Sequence, residues 1–213
     1  TKIITTADNI DLFVRNWNLP PFEERLGSIL IIHGYGEHSG RHEKLAKIFN
    51  TLGLDVRCYD QRGHGKSSGK NGSIPRKNSL LDDAKLVYDD FAKDRPQKPF
   101  ILGYNLGGIV ATTLIARKII NPRGIILASP VFQAIISSFQ KTQILFGSAF
   151  FPQATVPNGI PLDYLSRDKR VVIDYQTDPL KHDKVSARMA KFIVEAGKEC
   201  IAAVGNWQTP TLI

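Results

Sequence analysis

The sequence predicts an α/β protein built on a mainly parallel, doubly wound sheet. Three observations carry that prediction: short continuous apolar runs such as Ile29–His33, helically spaced segments between them, and glycine-rich turns where the runs end. A continuous apolar run is what a strand covered on both faces requires. Strands alternating with helices imply parallel pairing through crossovers, with binding sites at the carboxyl ends of the strands.

Lys2–Thr6 and Asp11–Trp17 read as an N-terminal β-hairpin turning near Asp8-Asn9 and ended by Pro20-Pro21. After the strand Ile29–His33, Leu45, Ile48, Phe49 and Leu52 fall at helical spacing and Gly53 closes that helix. Leu54–Asp60 is the next strand, followed by a Gly-, Lys- and Ser-rich loop to about Ser79. Leu80–Lys93 is helical, with Asp82 and Asp83 in a first turn where the helix dipole favours negative charge. Phe100–Gly103, Leu106–Ile120 and Gly124–Ala128 then read as strand, helix and strand.

After Pro130 the rhythm changes. Phe132, Ile135, Ile136 and Phe139 recur at i, i+3, i+4 and i+7, predicting one amphipathic helix. The stretch LFGSAFFPQATVPNGIP reads as aromatic and turn-rich. The expected organisation is a core over residues 1–130, a cap or lid inserted over residues 131–185, and a return to the core over 186–213. That last part has a helix at Ser186–Ala196 and a strand starting within Thr209–Ile213.

A chain of 213 residues that is 42% hydrophobic suits one domain with a real core. It contains no run of roughly 18 apolar residues of the kind that crosses a bilayer as a helix. The net charge of +8 attracts anionic surfaces. Its basic residues, among them Arg15, Arg41, Lys70, Arg123, Lys169 and Lys198, are scattered along the chain, so no nucleic-acid partner is expected. Cys58 and Cys200 stand far apart with no partner at metal-ligand spacing, which predicts neither a metal site nor a disulfide framework. A reducing, cytoplasmic setting is the expectation. An apolar patch around Phe150 and Phe151 is the candidate for peripheral membrane contact.

Three motifs stand at three strand ends: His33-Gly34-Tyr35-Gly36-Glu37-His38, Asp60-Gln61-Arg62-Gly63-His64-Gly65-Lys66-Ser67, and Gly103-Tyr104-Asn105-Leu106-Gly107-Gly108. The third lies between a strand and a helix, the context of a nucleophile elbow, where a sharp turn lifts one side chain above the sheet. In the second, Asp60, Arg62 and His64 are expected to hold the loop by hydrogen bonds. No G-K-[ST] follows at P-loop spacing, which argues against a phosphate cradle.

HGYGEHSGRH, DQRGHGKSSG and LGYNLGG resemble the motifs of the α/β-hydrolase superfamily, in its monoacylglycerol lipase and lysophospholipase branch, which is serine aminopeptidase-like. DYQTDPL and TPTLI extend the likeness over essentially the whole chain. The resemblance implies a serine-hydrolase-type carboxylic ester hydrolase for single-chain lipids, working through Ser, Asp and His without cofactor or metal. It implies an oxyanion hole from the Tyr35 and Leu106 amides, with Glu37, Arg41 and Tyr175 near the polar head of a small lipid ester. Glu37 and Arg41 can equally pair with each other at i, i+4. The Phe132–Phe139 stripe reads as core packing and as tunnel wall alike.

Two departures stand out. Asn105 occupies the position where the family has its serine; its carboxamide nitrogen is delocalised and cannot replace an activated hydroxyl. Asn does tolerate the positive φ of such a turn. The family's acid and histidine would follow strands beyond Ile213, and none of His33, His38, His42, His64 and His182 matches the base position. Loss of a triad serine or histidine costs on the order of a million-fold in turnover, so the chain as written is expected to be catalytically dead.

Three readings therefore compete: a lipid-ester hydrolase that is mutated and lacks its C-terminal strands and helices, a non-catalytic lipid- or partner-binding pseudoenzyme, and an aminopeptidase or thioesterase of the same superfamily. Ile213 falls inside an apolar strand, which favours a fragment or a second chain completing the sheet. The expected continuation is about two more strand–helix units.

Overall fold

The computed structural model describes residues 1–133, 137–159, 161 and 166–213. The hairpin forms as β1 (Lys2–Thr5) and β2 (Asp11–Trp17), paired antiparallel, with Asn9 at φ 59° in the turn. β3 (Gly27–Ile32), α1 (Glu43–Thr51), β4 (Leu54–Tyr59), α2 (Ser79–Ala92), β5 (Phe100–Tyr104), α3 (Leu106–Ala116) and β6 (Ile125–Ala128) follow in the expected alternation. Next come α4 (Ser138–Phe150), β7 (Thr155–Pro157), α5 (Lys169–Gln176), β8 (Lys184–Ser186), α6 (Ala187–Ala202) and β9 (Thr211–Leu212).

Seven strands hydrogen-bond in the order β1-β2-β4-β3-β5-β6-β9. The pairs from β4 through β9 are parallel, while β1 and β2 add an antiparallel edge. β3 and β5, central in the sheet, are apolar and buried almost throughout because helices cover both faces. α2, α3 and α6 pack on one face through Leu80, Leu81, Val87, Phe91, Ile109, Leu114 and Phe192. Burying each such side chain contributes about 1.5–3 kcal/mol. Ala46, Val56, Cys58 and Leu102 form the smaller core under α1 on the other face. Cys58 and Cys200 are both buried free thiols.

Five expectations need correction. α3 ends at Ala116 rather than Ile120: Lys118 turns at φ 56°, its N–H bonds the Ile115 carbonyl, and the reversal folds Ile120 back into the core. The Phe132–Phe139 stripe is not one helix. Phe132 lies outside regular structure, packed on the core, and helix α4 begins only after Ser137. There the Ser137 hydroxyl accepts from the Gln140 N–H at 3.2 Å, and the Gln140 carboxamide accepts from the Ser137 N–H at 2.8 Å, a capping box that sets the start. Ile135 and Ile136 lie outside the described residues. The LFGSAF part of the supposed turn-rich stretch is the end of α4, which packs on α6 with Gly147 facing Ala187. α6 runs on to Ala202, beyond the expected Ala196.

Asp83, expected in the first turn of α2, lies beyond it, and only Asp82 occupies that turn. Asp83 is buried and accepts from the Arg62 Nε and Nη2 groups, both at 2.6 Å, while Asp8 takes Nη1 at 2.9 Å. Removing Asp83 leaves the buried Arg62 with Asp8 alone and its Nε without an acceptor; losing one partner of a buried pair costs about 3–5 kcal/mol. Asp83→Ala should therefore lower unfolding stability by about that amount in a urea titration. A change within about 0.5 kcal/mol, the range of ordinary surface substitutions, would show that this pair does not anchor the loop.

Candidate active site

The three motifs meet at the carboxyl ends of β3, β4 and β5. At the end of β5 the chain turns through Asn105 (φ 49°, ψ −111°) directly into α3. The Asn105 N–H bonds the Ala128 carbonyl at 3.0 Å, and the Gly108 N–H returns to the Asn105 carbonyl at 3.1 Å. Gly107 makes this turn possible, because a Cβ there would run into the carbonyl of Ile32 at the end of β3. Such a turn raises its apex residue above the sheet, as the motif requires.

The Tyr35 and Leu106 amides do converge beside the apex, but the space between them is not empty. The Asn105 Oδ1 accepts from Leu106 N–H at 2.8 Å and from Tyr35 N–H at 3.4 Å. Two N–H groups aimed at one atom require an acceptor, which fixes the carboxamide with oxygen toward them and Nδ2 away.

Asn105 and Tyr35 stand where two cavities meet. One, of about 260 Å³, is lined mostly by aliphatic side chains, among them Leu106, Ile109, Val131, Ile144, Val185 and Ile193. The other, of about 390 Å³, is lined by Glu37, Arg41, Tyr104, Tyr175, Lys181 and His182. The structure thus brings together all six residues singled out from the sequence.

Their roles differ in detail. Glu37 is buried; its carboxylate accepts from Gly34 N–H at 2.6 Å and from the His42 ring at 3.0 Å, and lies 4.0 Å from Arg41. Burial works against the charged form, but the His42 hydrogen bond, the neighbouring imidazoles and the Gly34 amide hold Glu37 below the usual carboxylate range. The i, i+4 pairing with Arg41 is therefore its weakest contact. Arg41 instead bonds Asp178 at 3.2 Å and lies over the Tyr175 ring at 5.0 Å, while the Lys181 ammonium approaches the same ring at 5.1 Å. Asp178 also takes the His38 ring at 2.9 Å. Neither Asp178 nor Lys181 was picked out as a site residue; the one available signal was DYQTDPL, which marks the segment but not this aspartate's partners.

Backbone contacts tie the HGYGEH loop to the segment after β6. Gly36 (φ 72°) offers its carbonyl to His182 N–H at 3.1 Å and to the Tyr175 hydroxyl at 3.3 Å; a Cβ there would collide with the His182 carbonyl. The Tyr35 hydroxyl donates to the Lys184 carbonyl. In the second motif, Asp60 accepts from Ser39 and Lys66 N–H at 2.7 and 2.8 Å, and His64 Nδ1 bonds the Arg62 carbonyl at 3.0 Å, so this loop is held as expected. Among the described residues no group of three or more His, Cys, Asp or Glu side chains gathers in a way that could hold a metal ion.

A parallel sheet carrying a strand–sharp turn–helix elbow, with backbone amides converging at its apex, defines the α/β-hydrolase class of proteins. The chain belongs to the Hydrolase_4 family, serine aminopeptidase S33, whose model matches residues 23–213. It is 33% identical to human monoglyceride lipase over 83% of its own length and 59% of that protein. It is also 33% identical to an uncharacterised abhydrolase domain-containing protein of Dictyostelium discoideum, over 99% of this chain and 22% of the relative. The chain therefore spans less than two thirds of the length of each of these two relatives. The crystal structure of Paleococcus ferrophilus monoacylglycerol lipase superposes with a TM-score of 0.83 at 26% identity, covering 94% of this chain and 75% of that one.

His64 and His182 pack at 4.3 Å between ring centroids beside Tyr35, and the Nε2 of each is buried without a hydrogen-bond partner among the described residues. Burial, reinforced by the nearby His33, lowers His182 to about 4 from the ordinary 6.5; His64 is lowered in the same way. Between those values the unfolded chain binds protons that the folded chain refuses, so stability falls as pH drops through that window. Thermal unfolding followed by circular dichroism should show a Tm that falls from pH 7 to pH 5, with His182→Phe flattening the fall. An unchanged slope in that variant would show that His182 is hydrated in the fold.

Proposed function

We propose that this chain carries the substrate site of a carboxylic ester hydrolase for single-chain lipids, monoacylglycerol or lysophospholipid, and that Asn105 leaves it binding such lipids without hydrolysing them. The observation that carries the reading is the position of Asn105 at the elbow, where an aliphatic cavity adjoins a polar one. An acyl chain gains by leaving water for the first, about 0.8 kcal/mol per buried methylene. A glycerol or phosphoglycerol head finds hydrogen-bonding groups in the second. The ester then falls at the junction, beside residue 105. The aliphatic lining favours an acyl group over a peptide.

Hydrolysis needs a nucleophile there and a base to activate it. The Asn105 carboxamide supplies no such lone pair. His33 has both ring nitrogens engaged, by the Gly34 carbonyl and the Gln61 N–H, and His38 by Asp178 and the Gly40 N–H. In this reading residues 131–185 act as the cap, supplying Val131, Ile144, Tyr175 and His182 to the site. The exposed Phe139, Leu145, Phe146, Phe150 and Phe151 give that cap an apolar surface for collecting lipid at a membrane. No helix among the described residues is long and apolar enough to cross one.

The reading is tested with 1-lauroylglycerol in a titration calorimeter and with p-nitrophenyl butyrate as a chromogenic ester. Saturable binding of the lipid is expected, weakened at least tenfold by Ala190→Trp, which fills the aliphatic cavity from α6. Ester cleavage should stay at the buffer rate. Vigorous cleavage abolished by His182→Ala would assign a catalytic base to the chain and overturn the reading, as would failure to bind the lipid.

A further inference from the structure

We propose that Asn105 closes the oxyanion hole on itself and turns the reactive position into a hydrogen-bond donor for an intact acyl carbonyl. This rests on the lipid-site reading above and assigns the contact that retains the ligand. The Asn105 Oδ1, held by Leu106 and Tyr35 N–H, stands where the carbonyl oxygen of an ester would stand in an open site. It is tethered to the same backbone as Leu106, so an incoming carbonyl competes with an acceptor whose effective concentration is high. It also caps the start of α3, satisfying a helix amide that would otherwise need water.

The other end of the carboxamide has the opposite polarity. With Oδ1 committed, the two Nδ2 hydrogens point away from the hole, and no acceptor among the described residues binds them. Asn105 lines both cavities, so this donor faces the junction where aliphatic and polar walls meet. A serine hydrolase meets an ester with a lone pair for its carbon and N–H groups for its oxygen. Here the oxygen is met by Nδ2–H, and the carbon meets no nucleophile. The ligand chemistry recognised is an acyl carbonyl oxygen at the head of a single aliphatic chain, supplied by an ester or by a free fatty acid.

The test is nitrogen-15 NMR of the full chain with three additives: 1-lauroylglycerol, lauric acid, and 1-O-dodecylglycerol, an ether without a carbonyl. Without lipid, Asn105→Gly, which accepts the positive φ, should speed hydrogen exchange at the Leu106 amide about fivefold or more. Equal rates would overturn the self-closure, whatever binds. With 1-lauroylglycerol, the wild-type Asn105 side-chain NH₂ signals should shift while the Tyr35 and Leu106 amides stay put. In Asn105→Gly the same lipid should move those two amides instead. The ether should perturb Ile109 and Val185 but not the Asn105 NH₂ signals. Asn105→Asp, which keeps the acceptor and loses the donor, should leave Leu106 exchange slow and erase the distinction between ester and ether.

A wild-type Leu106 amide that moves with the ester but not the ether would show the carbonyl entering the hole and sink the proposal. A shift of the Asn105 NH₂ with lauric acid alone assigns the site to the free acid; a shift with 1-lauroylglycerol assigns it to the ester. If none of the three perturbs Ile109 or Val185, the lipid-site reading and the retaining contact fall together, and the exchange data still decide the self-closure.

Discussion

The N-terminus of α3 is pressed against the end of β3 so closely that residue 107 has no room for a side chain, and the rest of the site depends on that contact. It forces the sharp turn at residue 105 and brings the Leu106 amide beside the Tyr35 amide. Helix starts leave N–H groups that need an acceptor. A side chain of moderate length at the apex can supply it, and an Asn cap contributes about 1 kcal/mol relative to Ala. Asn also tolerates the left-handed backbone of the turn. The apex side chain is thereby spent as a helix cap, a gain for the fold.

Charge near the polar cavity is largely committed to architecture. Glu37 braces its own loop through Gly34 and His42, and Asp178 joins His38 to Arg41 across the boundary between the loop and the segment after β6. The Gly36 carbonyl, shared by His182 and Tyr175, ties the same two parts together through the backbone. These contacts set how far the two walls of the cavity stand apart. Arg41 and Lys181, two positively charged groups lining this cavity, both lie against the Tyr175 ring, so this one aromatic residue positions much of the polar wall.

Much of the fold was legible because its strands are buried on both faces and so read as unbroken apolar runs, with glycine marking the points where the backbone must turn or come close. Tyr35, Glu37, Arg41, Leu106 and Tyr175 were singled out through likeness and Asn105 through the strand–helix context of its motif as well, and all six line adjoining cavities. Periodicity failed after Pro130, where Phe132 packs on the core outside any helix while Phe139 faces outward on α4, so their helical spacing does not mark one face of one helix. It also failed for Asp83, whose place near a helix start masked a buried partner 21 residues away.

The order of elements, the mainly parallel sheet and the place of the sharp turn at residue 105 were legible in the sequence itself, because apolar runs and the glycines at their ends are local patterns. The tertiary structure alone decided the rest. That the Asn105 oxygen fills the space between two amides, that Asp178 reaches His38, and that His64 meets His182 are contacts between segments up to 140 positions apart. No pattern of neighbours encodes them, because hydrogen bonds and ring contacts act only over a few ångströms, and it takes a folded chain to bring those atoms within reach.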